Sequence, residues 1–227
     1  MSDDLRNFDG TTRLFPLPNM VLFPNVIQPL HIFEERYRQL TADALAGNRL
    51  LSIVLLKPGW EAEYQGRPPL YSVACLGRIV ADQRLDDGRY NLLLRGLARI
   101  RIVGELESDK LYRSARVEVM TEAPAQPPHV QQHLRKVLGR EAPRWLSSLP
   151  EMLQQFERLL NSELPLGALC DIFSFALPLD AEFKQQLLEE TDVEKRMRGL
   201  LDHLKTQSPP AAAPESDRPF PPGFSTN

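Results

Sequence analysis

The stretch from Tyr71 to Val103 reads YSVACLGRIVADQRLDDGRYNLLLRGLARIRIV, and its pattern decides the fold of the first half of the chain. Two apolar runs flank Asp86-Asp87-Gly88. An Asp-Gly pair between such runs indicates a β-hairpin, because Gly adopts the positive φ of the turn without steric cost. After this hairpin, isoleucines alternate with Arg99 and Arg101, which predicts a half-buried strand with its arginines turned outward. The stretch therefore predicts antiparallel β-structure.

The rest of the first half also has the pattern of short strands, interrupted by one helix. Residues 50–56 form a continuous β-type run that ends at Lys57-Pro58-Gly59, and residues 111–120 alternate between apolar and polar again. The helix is predicted over residues 34–46, because Gly47 is a typical helix stop.

Helical periodicity replaces the strand pattern after a proline-rich linker at residues 123–128. Residues 164–177 are apolar nearly all round and predict a central buried helix. Thr191 and Glu194 have the spacing of a capping box, which predicts that Thr191 caps the last helix. The predicted organisation is a flexible N-terminus at 1–10, a β-rich part at 11–122, a helical bundle at 123–207 and a disordered proline-rich tail at 208–227.

The composition is that of an ordinary globular protein. The chain has 227 residues, 42% hydrophobic and 25% charged, which corresponds to one or two domains. Its net charge of −3 argues against a general nucleic-acid-binding protein, and no apolar run approaches the ~18–20 residues that cross a bilayer. The acidic N-terminus lacks the order of a secretory signal, and Cys75 and Cys170 suggest neither a disulfide framework nor a zinc cluster. A reduced, cytoplasmic protein with no membrane partner is expected.

The sequence contains none of the common catalytic motifs. GxxxxGK[ST], GxGxxG, GxSxG, HExxH and CxxC are all missing. His129 and His133 have the i, i+4 spacing that brings two imidazoles to one metal, but no evident third ligand accompanies them, so solvated histidines are favoured. We therefore expect no enzymatic activity, no catalytic residues, no cofactor and no metal site.

An aromatic segment between two predicted strands is the first candidate for binding. Residues 58–71 combine Gly and Pro with Trp60, Tyr64 and Tyr71. Such rings are rigid anchors of the kind found at interfaces, and this predicts a peptide-binding site. Alternatively, the rings cap an open end of the β core.

A group of arginines on the predicted strands is a second, weaker candidate. Arg78, Arg95, Arg99 and Arg101 would form an anion- or RNA-binding surface if they shared one face. Acidic residues interleave with them in the sequence, however, which favours an ordinary solvated sheet face on which the arginines pair with acids.

Several motifs resemble those of the amino-terminal, substrate-binding domain of Lon proteases. The sequence LFPLPNMVLFPNVIQPLHIF at residues 14–33 is similar to the opening of that family. Further similar motifs follow in the family's order, namely LGRI at 76–79, DGRY at 87–90, LRGLARIRI at 94–102, KQQLLE at 184–189 and Arg196. The resemblance covers residues 11–206. It implies an α+β fold in which a PUA-like β pseudo-barrel precedes a helical bundle.

The resemblance also implies a function. Full-length Lon continues into ATPase and protease domains, and this chain resembles the stand-alone forms that lack both. The implied role is a non-catalytic module that binds unfolded or degradation-prone polypeptides, as an adaptor for a separate ATP-dependent protease in protein quality control. Strand addition at an exposed sheet edge suits an extended peptide. An RNA- or nucleotide-binding module of PUA-like type is the alternative, and it rests on fold analogy.

Overall fold

The β-rich and helical parts of the chain form separate compact units. The computed structural model describes residues 5–6, 8–63, 66–123, 127–146 and 150–209. The two units divide between Met120 and Thr121. The tail predicted to be disordered lies outside the described residues from position 210 onward.

Six strands in the first unit form one sheet that closes on itself. They are β1 (Thr11–Leu17), β2 (Ile27–Ile32), β3 (Leu50–Leu55), β4 (Val73–Arg84), β5 (Tyr90–Leu106) and β6 (Arg113–Val119). Their order is β2-β5-β4-β3-β1-β6, and β6 also pairs with β5, which closes five of the strands into a barrel. β1 and β3 run parallel, and the other pairings are antiparallel. Among the described residues, β2 stands outside the ring with β5 as its one strand neighbour.

β5 is long because it serves two parts of the sheet. Its first half pairs with β2 and with the end of β4, while its second half pairs with β6. The predicted Asp-Gly hairpin joins β4 to β5, with Gly88 at φ +83° and a hydrogen bond of 2.8 Å from Leu85 N to Arg89 O. The hairpin therefore aligns the two strands that carry most of the candidate residues.

The connection from β1 to β2 lies directly on β5 at Gly96. A Cβ atom at this position would be 2.1 Å from the carbonyl oxygen of Phe23, so only glycine fits. Asn25 N donates to Gly96 O (3.0 Å), and Gly96 N donates to Val26 O (2.8 Å). This close packing fixes where β2 begins and how it pairs with β5.

The barrel interior is filled by aliphatic side chains from five strands. Each such side chain contributes about 1.5–3 kcal/mol on burial. The hydroxyls of Thr12 and Ser52, both buried, satisfy each other at 2.9 Å. Two residues of the predicted flexible N-terminus belong here, since Leu5 is buried in the cluster and Phe8 packs against it. The cluster includes Leu14, Val54, Leu76, Ile100 and Val117.

Among the described residues, one α-helix belongs to the barrel unit and the other α-helices belong to the second unit. α1 (Glu35–Ala46) places Tyr37 against Phe15 of β1, with 4.2 Å between the ring centroids. No helix in the described part of the chain is long and apolar enough to cross a bilayer. The helices of the second unit are α2 (Pro128–Glu141), α3 (Pro143–Leu146), α4 (Pro150–Leu160), α5 (Leu166–Ala176), α6 (Ala181–Glu189) and α7 (Val193–Thr206).

The second unit is organised around a buried arginine on α7. The side chain of Arg196 is fully buried, and its Nε lies 3.3 Å from a carboxylate oxygen of Asp171 on α5. The same guanidinium binds the Glu122 carboxylate and donates to the carbonyl oxygen of Glu190 (2.6 Å). A buried guanidinium needs such partners, because an uncompensated buried charge is costly. Arg196 therefore connects the start of this unit to its two inner helices.

The capping prediction for α7 was wrong by one residue. Asp192 is the N-cap, and its Oδ1 accepts hydrogen bonds from Glu194 N (2.9 Å) and Lys195 N (3.1 Å). An aspartate cap satisfies two free N–H groups and also places a negative charge at the positive end of the helix. Thr191 instead uses its carbonyl oxygen to accept from Ala123 N (3.1 Å).

Candidate polypeptide-binding surfaces

The aromatic segment, residues 58–71, is closed at its base. Leu56 and Leu70 form an antiparallel bridge across it. Arg113 of β6 donates from Nη1 to the carbonyl oxygen of Pro68 (2.7 Å), and Pro68 is buried. The segment is therefore a loop with a fixed base rather than an open connection.

Glu105 of β5 holds the same loop through two arginines. Its Oε2 accepts from Arg113 Nε (2.8 Å) and from Arg67 Nη2 (3.2 Å). The hydrogen bonds from Arg113 are the main reason that the pKa of Glu105 lies below its ordinary value, although partial burial opposes them. The loop base is thus attached to the C-terminal half of β5.

The structure describes two of the three predicted aromatic anchors. Trp60 opens a four-residue 3₁₀ turn and is half-buried, while the remaining residues of that turn are exposed. Tyr71 is also half-buried, and its ring centroid lies 5.9 Å from Lys57 Nζ. Tyr64 lies outside the described residues. The side chain that this loop packs against the barrel-core cluster is Leu70, and neither Trp60 nor Tyr71 belongs to that cluster.

The four candidate arginines do not share one face of the sheet. β5 contains an extra residue, Leu97, relative to β4, and such a bulge shifts the alternation of side chains by one. Arg78 and Arg95 are direct cross-strand partners on one face. Arg99 and Arg101 follow the bulge and lie on the opposite face. The arrangement therefore offers no single surface of four guanidinium groups.

The alternation in the sequence predicted that Arg99 is exposed to solvent, but the structure buries this side chain. It is 3% exposed, whereas Arg101 is exposed as expected. The cross-strand partner of Arg99 is Cys75, which is fully buried. Both faces of the sheet are covered at this level, because Ile100 on the other face is buried as well. Alternation alone gives the relative faces of two residues but not which face is open.

Three of the large apolar side chains that remain exposed lie together on β2, β4 and β5. Ile27 is 54% exposed, Val80 43% and Leu93 39%. Pro29, also exposed, lies directly across from Leu93, and Ile27 lies across from Arg95. Val80 is the extra residue of a second bulge, beside Ala81, which also pairs with Leu93. The sequence analysis did not predict this surface. A signal for it was present in the three consecutive leucines at 92–94, because successive side chains of a strand point to opposite faces and at least one of the three must point away from the core.

We call this surface the open sheet face and define it as Ile27, Pro29, Val80 and Leu93 together with Arg78 and Arg95. Its opposite side is a packed core, because the intervening side chains are buried. The face therefore rests on a rigid scaffold. The buried side chains beneath it are Leu30, Ile79, Leu92 and Leu94.

The charged side chains that the register of the described strands places on the open sheet face are those of Arg78 and Arg95. Arg78 and Arg95 are half-buried partners on it, and the described strands place no Asp or Glu on this side by register. Asp82 of β4 lies across from the buried Leu92 and is therefore on the other side of the sheet. Its carboxylate binds Arg49 Nη2 at 2.5 Å. The face thus combines exposed aliphatic groups with guanidinium groups.

The outer edge of β2 is interrupted in its middle. Gly96 N donates to Val26 O, and hydrogen-bonded positions alternate along an antiparallel strand. The backbone groups of residues 28, 30 and 32 therefore point toward β5. Those of Ile27, Pro29 and His31 point away from β5, to the outer edge. Pro29 has no N–H to donate. The predicted strand addition at an exposed edge would therefore lose its central donor here, and proline is a common protection of such edges.

The aromatic loop and the open sheet face lie toward opposite ends of β5. The loop is attached at Glu105 and the face contains Leu93. At ~3.3 Å per residue, the path along the strand between these positions is roughly 40 Å.

A polar cleft of about 340 Å³ lies near the start of β1, with Arg13, Lys110 and Tyr112 among its lining residues. Tyr112 donates its hydroxyl to Asp43 Oδ2 (2.8 Å), and Lys110 Nζ lies 3.1 Å from the same atom. The bond from Tyr112, with Lys110 beside it, lowers the pKa of Asp43, whereas burial and Asp43 raise the pKa of Tyr112. These shifts keep the carboxyl group of Asp43 ionised and the phenol of Tyr112 neutral at neutral pH. Neither group is thereby activated as a general base. Among the described residues, no group of three potential ligands is placed to hold a metal ion.

Comparison with known sequences identifies the family. Residues 11–206 match the sequence model of the "ATP-dependent protease La (LON) substrate-binding domain". The chain belongs to this family. The resemblance seen in the sequence motifs is thereby confirmed.

Several Lon proteases are similar to this chain, and they are much longer than the matched region. The Lon protease of Dictyoglomus thermophilum is 28% identical over 195 residues, which cover 84% of this chain and 24% of that protease. The Lon protease of Paraburkholderia phytofirmans is 30% identical over 192 residues, covering 83% and 23% respectively. The chain therefore spans about a quarter of the length of the proteases that it matches.

Two solved structures share the fold. The N-terminal domain of the Mycobacterium avium complex Lon protease aligns with a TM-score of 0.66 at 22% identity, over 87% of this chain and 99% of that one. A Lon N-terminal domain protein from Xanthomonas campestris gives 0.61 at 24% identity, over 85% and 97%. The predicted α+β fold, a PUA-like β barrel followed by helices, is confirmed.

The Lon family motif at residues 14–33 has a clear structural role in this chain. Its first part is β1, its middle part crosses β5 at Gly96 with Phe23 fully buried, and its last part is β2. The prolines fit this course, because they favour extended backbone and interrupt ladders. The motif therefore builds the scaffold of the open sheet face.

Proposed function

We propose that this protein is a polypeptide-recognition module that binds unfolded or degradation-prone chains and does not hydrolyse them. It acts in the cytoplasm, as an adaptor that presents its clients to a separate ATP-dependent protease in protein quality control. The observation that carries the proposal is the match of residues 11–206 to the Lon substrate-binding domain family.

The architecture supports recognition by fixed surfaces. Closing five strands into a barrel leaves few free edges and holds the exposed groups on a stiff frame. Both the aromatic loop and the open sheet face offer side chains that suit an unfolded chain, since rings and exposed aliphatic groups bind apolar residues without requiring one sequence. We propose Trp60, Tyr64 and Tyr71 of the loop as peptide-binding residues, with the open sheet face as a second surface.

A non-catalytic role agrees with the ionisable groups of the barrel unit. The pKa values of four carboxyl groups, those of Asp9, Asp43, Asp87 and Glu105, all lie below their ordinary values, each mainly because of a hydrogen bond from another residue. A general base or nucleophile near neutral pH needs the opposite perturbation. RNA binding has less support, because the bulge at Leu97 divides the four candidate arginines between two faces and Arg99 is buried.

The proposal is tested by direct binding to an unfolded protein of defined state. Reduced and iodoacetamide-alkylated α-lactalbumin, which stays unfolded, is labelled and titrated with the full chain by fluorescence anisotropy. The native, disulfide-intact form is the matched control, since it has the same sequence. We expect saturable binding of the unfolded form, weak or no binding of the native form, and no cleavage of either. Equal binding of both forms, or of neither, contradicts the proposal.

A further inference from the structure

A recess on the barrel unit adjoins the aromatic loop. It lies between the start of α1, the end of the loop and the residues where β6 begins. Leu111 lines it and is 56% exposed, so this side chain marks its mouth. Four apolar residues that line it are buried and form its floor, namely Pro16, Tyr37, Leu56 and Pro68. We call it the loop recess, and its other lining residues are Arg36, Gly66, Tyr112 and Arg113.

The two tyrosine rings of the loop recess are held by residues that do not line it. Tyr37 packs against Phe15, with 4.2 Å between the ring centroids. Tyr112 donates its hydroxyl to Asp43 Oδ2 at 2.8 Å. The polar end of Tyr112 is thereby engaged, and the ring itself is left to contact an apolar group.

The mouth and the loop side of the recess are held by hydrogen bonds to the backbone. Leu111 N donates to Gln39 Oε1 of α1 at 2.8 Å. Arg113 Nη1 donates to the carbonyl oxygen of Pro68 at 2.7 Å. A recess whose walls are already in place avoids part of the entropic cost of ordering them on binding.

The two arginines of the loop recess are already bound to carboxylates. Arg36 Nε donates to Glu34 Oε2 at 2.9 Å, and Arg113 Nε donates to Glu105 Oε2 at 2.8 Å. A charged group that entered the recess would lose water and would have to compete with these ion pairs for a partner. The recess therefore favours a neutral, apolar group.

The size of the loop recess limits which apolar group it admits. Its volume is about 40 Å³. One water needs roughly 10–15 Å³ of such space, so the recess has room for about three waters. The branched ends of Val, Leu and Ile are of comparable size, whereas an indole ring is too large to enter fully.

A single side chain of a client polypeptide is the occupant that fits these features. The recess is continuous with the aromatic loop, because Gly66 and Pro68 belong to both. A stable interface between two folded chains buries roughly 800 Å² on each partner, which is far more than a recess for one side chain supplies. An unfolded chain, in contrast, inserts one side chain while its neighbours contact the loop.

We propose that the loop recess binds one branched aliphatic side chain, that of Val, Leu or Ile, from an unfolded client. This proposal rests on the proposed function and specifies the client chemistry. It predicts discrimination by size. General attraction to an apolar surface would rank Trp above Leu, because Trp buries the larger area, whereas the recess ranks Leu above both Ala and Trp.

The test uses three labelled peptides that differ only at one central guest position. The guest is Ala, Leu or Trp, and the flanking residues, which include two phenylalanines for the aromatic loop, are identical. Each peptide is titrated with the full chain by fluorescence anisotropy. We expect the Leu peptide to bind at least about tenfold more tightly than the Ala peptide, and the Trp peptide to bind no more tightly than the Leu peptide.

Variants of the mouth and the wall have matched controls elsewhere in the barrel unit. Leu111→Ala removes an aliphatic group from the mouth, and Val103→Ala removes one at another 56% exposed position, outside the recess. Gly66→Leu adds a side chain to the wall, where a Cβ would lie 3.4 Å from the carbonyl oxygen of Glu63. Gly104→Leu adds one where a Cβ has no heavy atom within 4 Å. We expect Leu111→Ala and Gly66→Leu to reduce the preference for Leu over Ala to less than about threefold, and both controls to retain it.

The outcomes separate this proposal from the function on which it rests. If unfolded α-lactalbumin binds but the Leu and Ala peptides bind equally, or the Trp peptide binds most tightly, the recognition function stands and the proposal for the recess is wrong. The same conclusion follows if Leu111→Ala and Gly66→Leu behave like their controls. If neither the unfolded protein nor any peptide binds, both proposals fail.

A second copy of this chain is the remaining occupant that the experiment distinguishes. A concentration-dependent dimer in light scattering that Leu111→Ala abolishes, while Val103→Ala retains it, would assign the recess to a second copy and overturn the proposal. Melting curves of the four variants establish that each is folded.

Discussion

The aromatic loop and the open sheet face both expose apolar side chains, but different structural elements hold these side chains in place. The loop presents Trp60 on a short turn whose neighbours Glu61 and Glu63 are acidic, and its base is fixed by hydrogen bonds and ion pairs. The face presents aliphatic groups on strands whose other side is core, and its charges are arginines. The apolar groups of the loop therefore depend on local contacts, and those of the face depend on the packing of the barrel unit.

The difference also concerns how each surface depends on the fold. The loop base is held by contacts of partly exposed side chains, among them Glu105, and such contacts are individually weak. The face is positioned by the crossing at Gly96 and by barrel packing, which involve buried backbone. We therefore expect local changes to release the loop without unfolding the barrel, whereas changes beneath the face destabilise the whole unit.

The largest expected effect follows from substituting the glycine beneath the face. In Gly96→Ala the new Cβ would lie 2.1 Å from the carbonyl oxygen of Phe23, a backbone atom that cannot rotate away. We expect a loss of more than about 4 kcal/mol in the free energy of unfolding, measured by urea denaturation.

Gly104 on the same strand is the control for this substitution. A Cβ there has no heavy atom within 4 Å, so Gly104→Ala should change stability by no more than about 0.5 kcal/mol. Equal stability of the two variants would mean that the crossing does not hold the face.

The next effect concerns Trp60 in the loop. If Trp60 is a binding anchor, Trp60→Ala should cost about 2 kcal/mol or more of affinity for unfolded polypeptide, or about thirtyfold, with an unchanged melting temperature. If it seals the barrel instead, the same variant should lose about 3–5 kcal/mol of stability. Anisotropy and thermal melting of the one variant distinguish these outcomes, and Glu61→Ala on the same turn is the control.

Acidification should release the loop before the face. The pKa of Glu105 is lowered in the folded state, mainly by Arg113, so its contribution to stability is present above the ordinary carboxyl range of about 4.3 and is lost as pH falls through the folded value. We expect the fluorescence of Trp60, read in a Trp145→Phe background, to change on acidification below that range.

Two glutamine variants of β5 and its following turn control the acid transition. Glu105→Gln should remove the transition by releasing the loop at neutral pH, whereas Glu107→Gln, two residues away and exposed, should retain it. An acid transition that persists in Glu105→Gln would show that another group holds the loop.

The smallest expected effect concerns the charges of the loop tip. Replacing Glu61 and Glu63 together with Gln should change the affinity for unfolded α-lactalbumin by no more than about two- to threefold, because exposed charges contribute little each. Anisotropy titrations of the variant and of the unchanged chain measure this change. A tenfold or larger change would mean that these two carboxylates, rather than the ring of Trp60, make the main contact of the loop.

The sequence indicated the elements of the fold more reliably than the surfaces they form. The Asp-Gly hairpin, the helix ending before Gly47 and the helical periodicity after the linker are local signals, and each corresponds to an element of the structure. The N-cap of α7 shows the limit of the capping-box spacing rule. Two adjacent residues, Thr191 and Asp192, are both suitable N-caps, and in the structure Asp192 is the cap and accepts two backbone hydrogen bonds. Adjacent capping residues cannot be ranked by spacing alone.

The candidate surfaces depended on features with no local signal. The position of Trp60 in a loop rich in Gly and Pro is visible in the sequence, whereas nothing local distinguishes Leu93 from its two neighbours, which are buried leucines. The sequence also gives no sign that the four arginines Arg78, Arg95, Arg99 and Arg101 lie on two faces, because the extra residue in β5 that separates them is seen only in the paired strands. A bulge is a property of two paired strands, so it is not visible in either strand by itself.

The sequence by itself determined the family, the order of strands and helices, and the positions of the turns, because hydrophobic period and turn chemistry act over a few neighbouring residues. Only the tertiary structure decided which faces are open. Ring closure through the β5–β6 pairing, the crossing of Phe23 over Gly96 and the bulge at Leu97 bring distant segments together, and those contacts bury Arg99 while leaving Leu93 exposed. The physical reason is that burial is set by what packs on a strand from elsewhere in the chain, which the alternation along that strand does not encode.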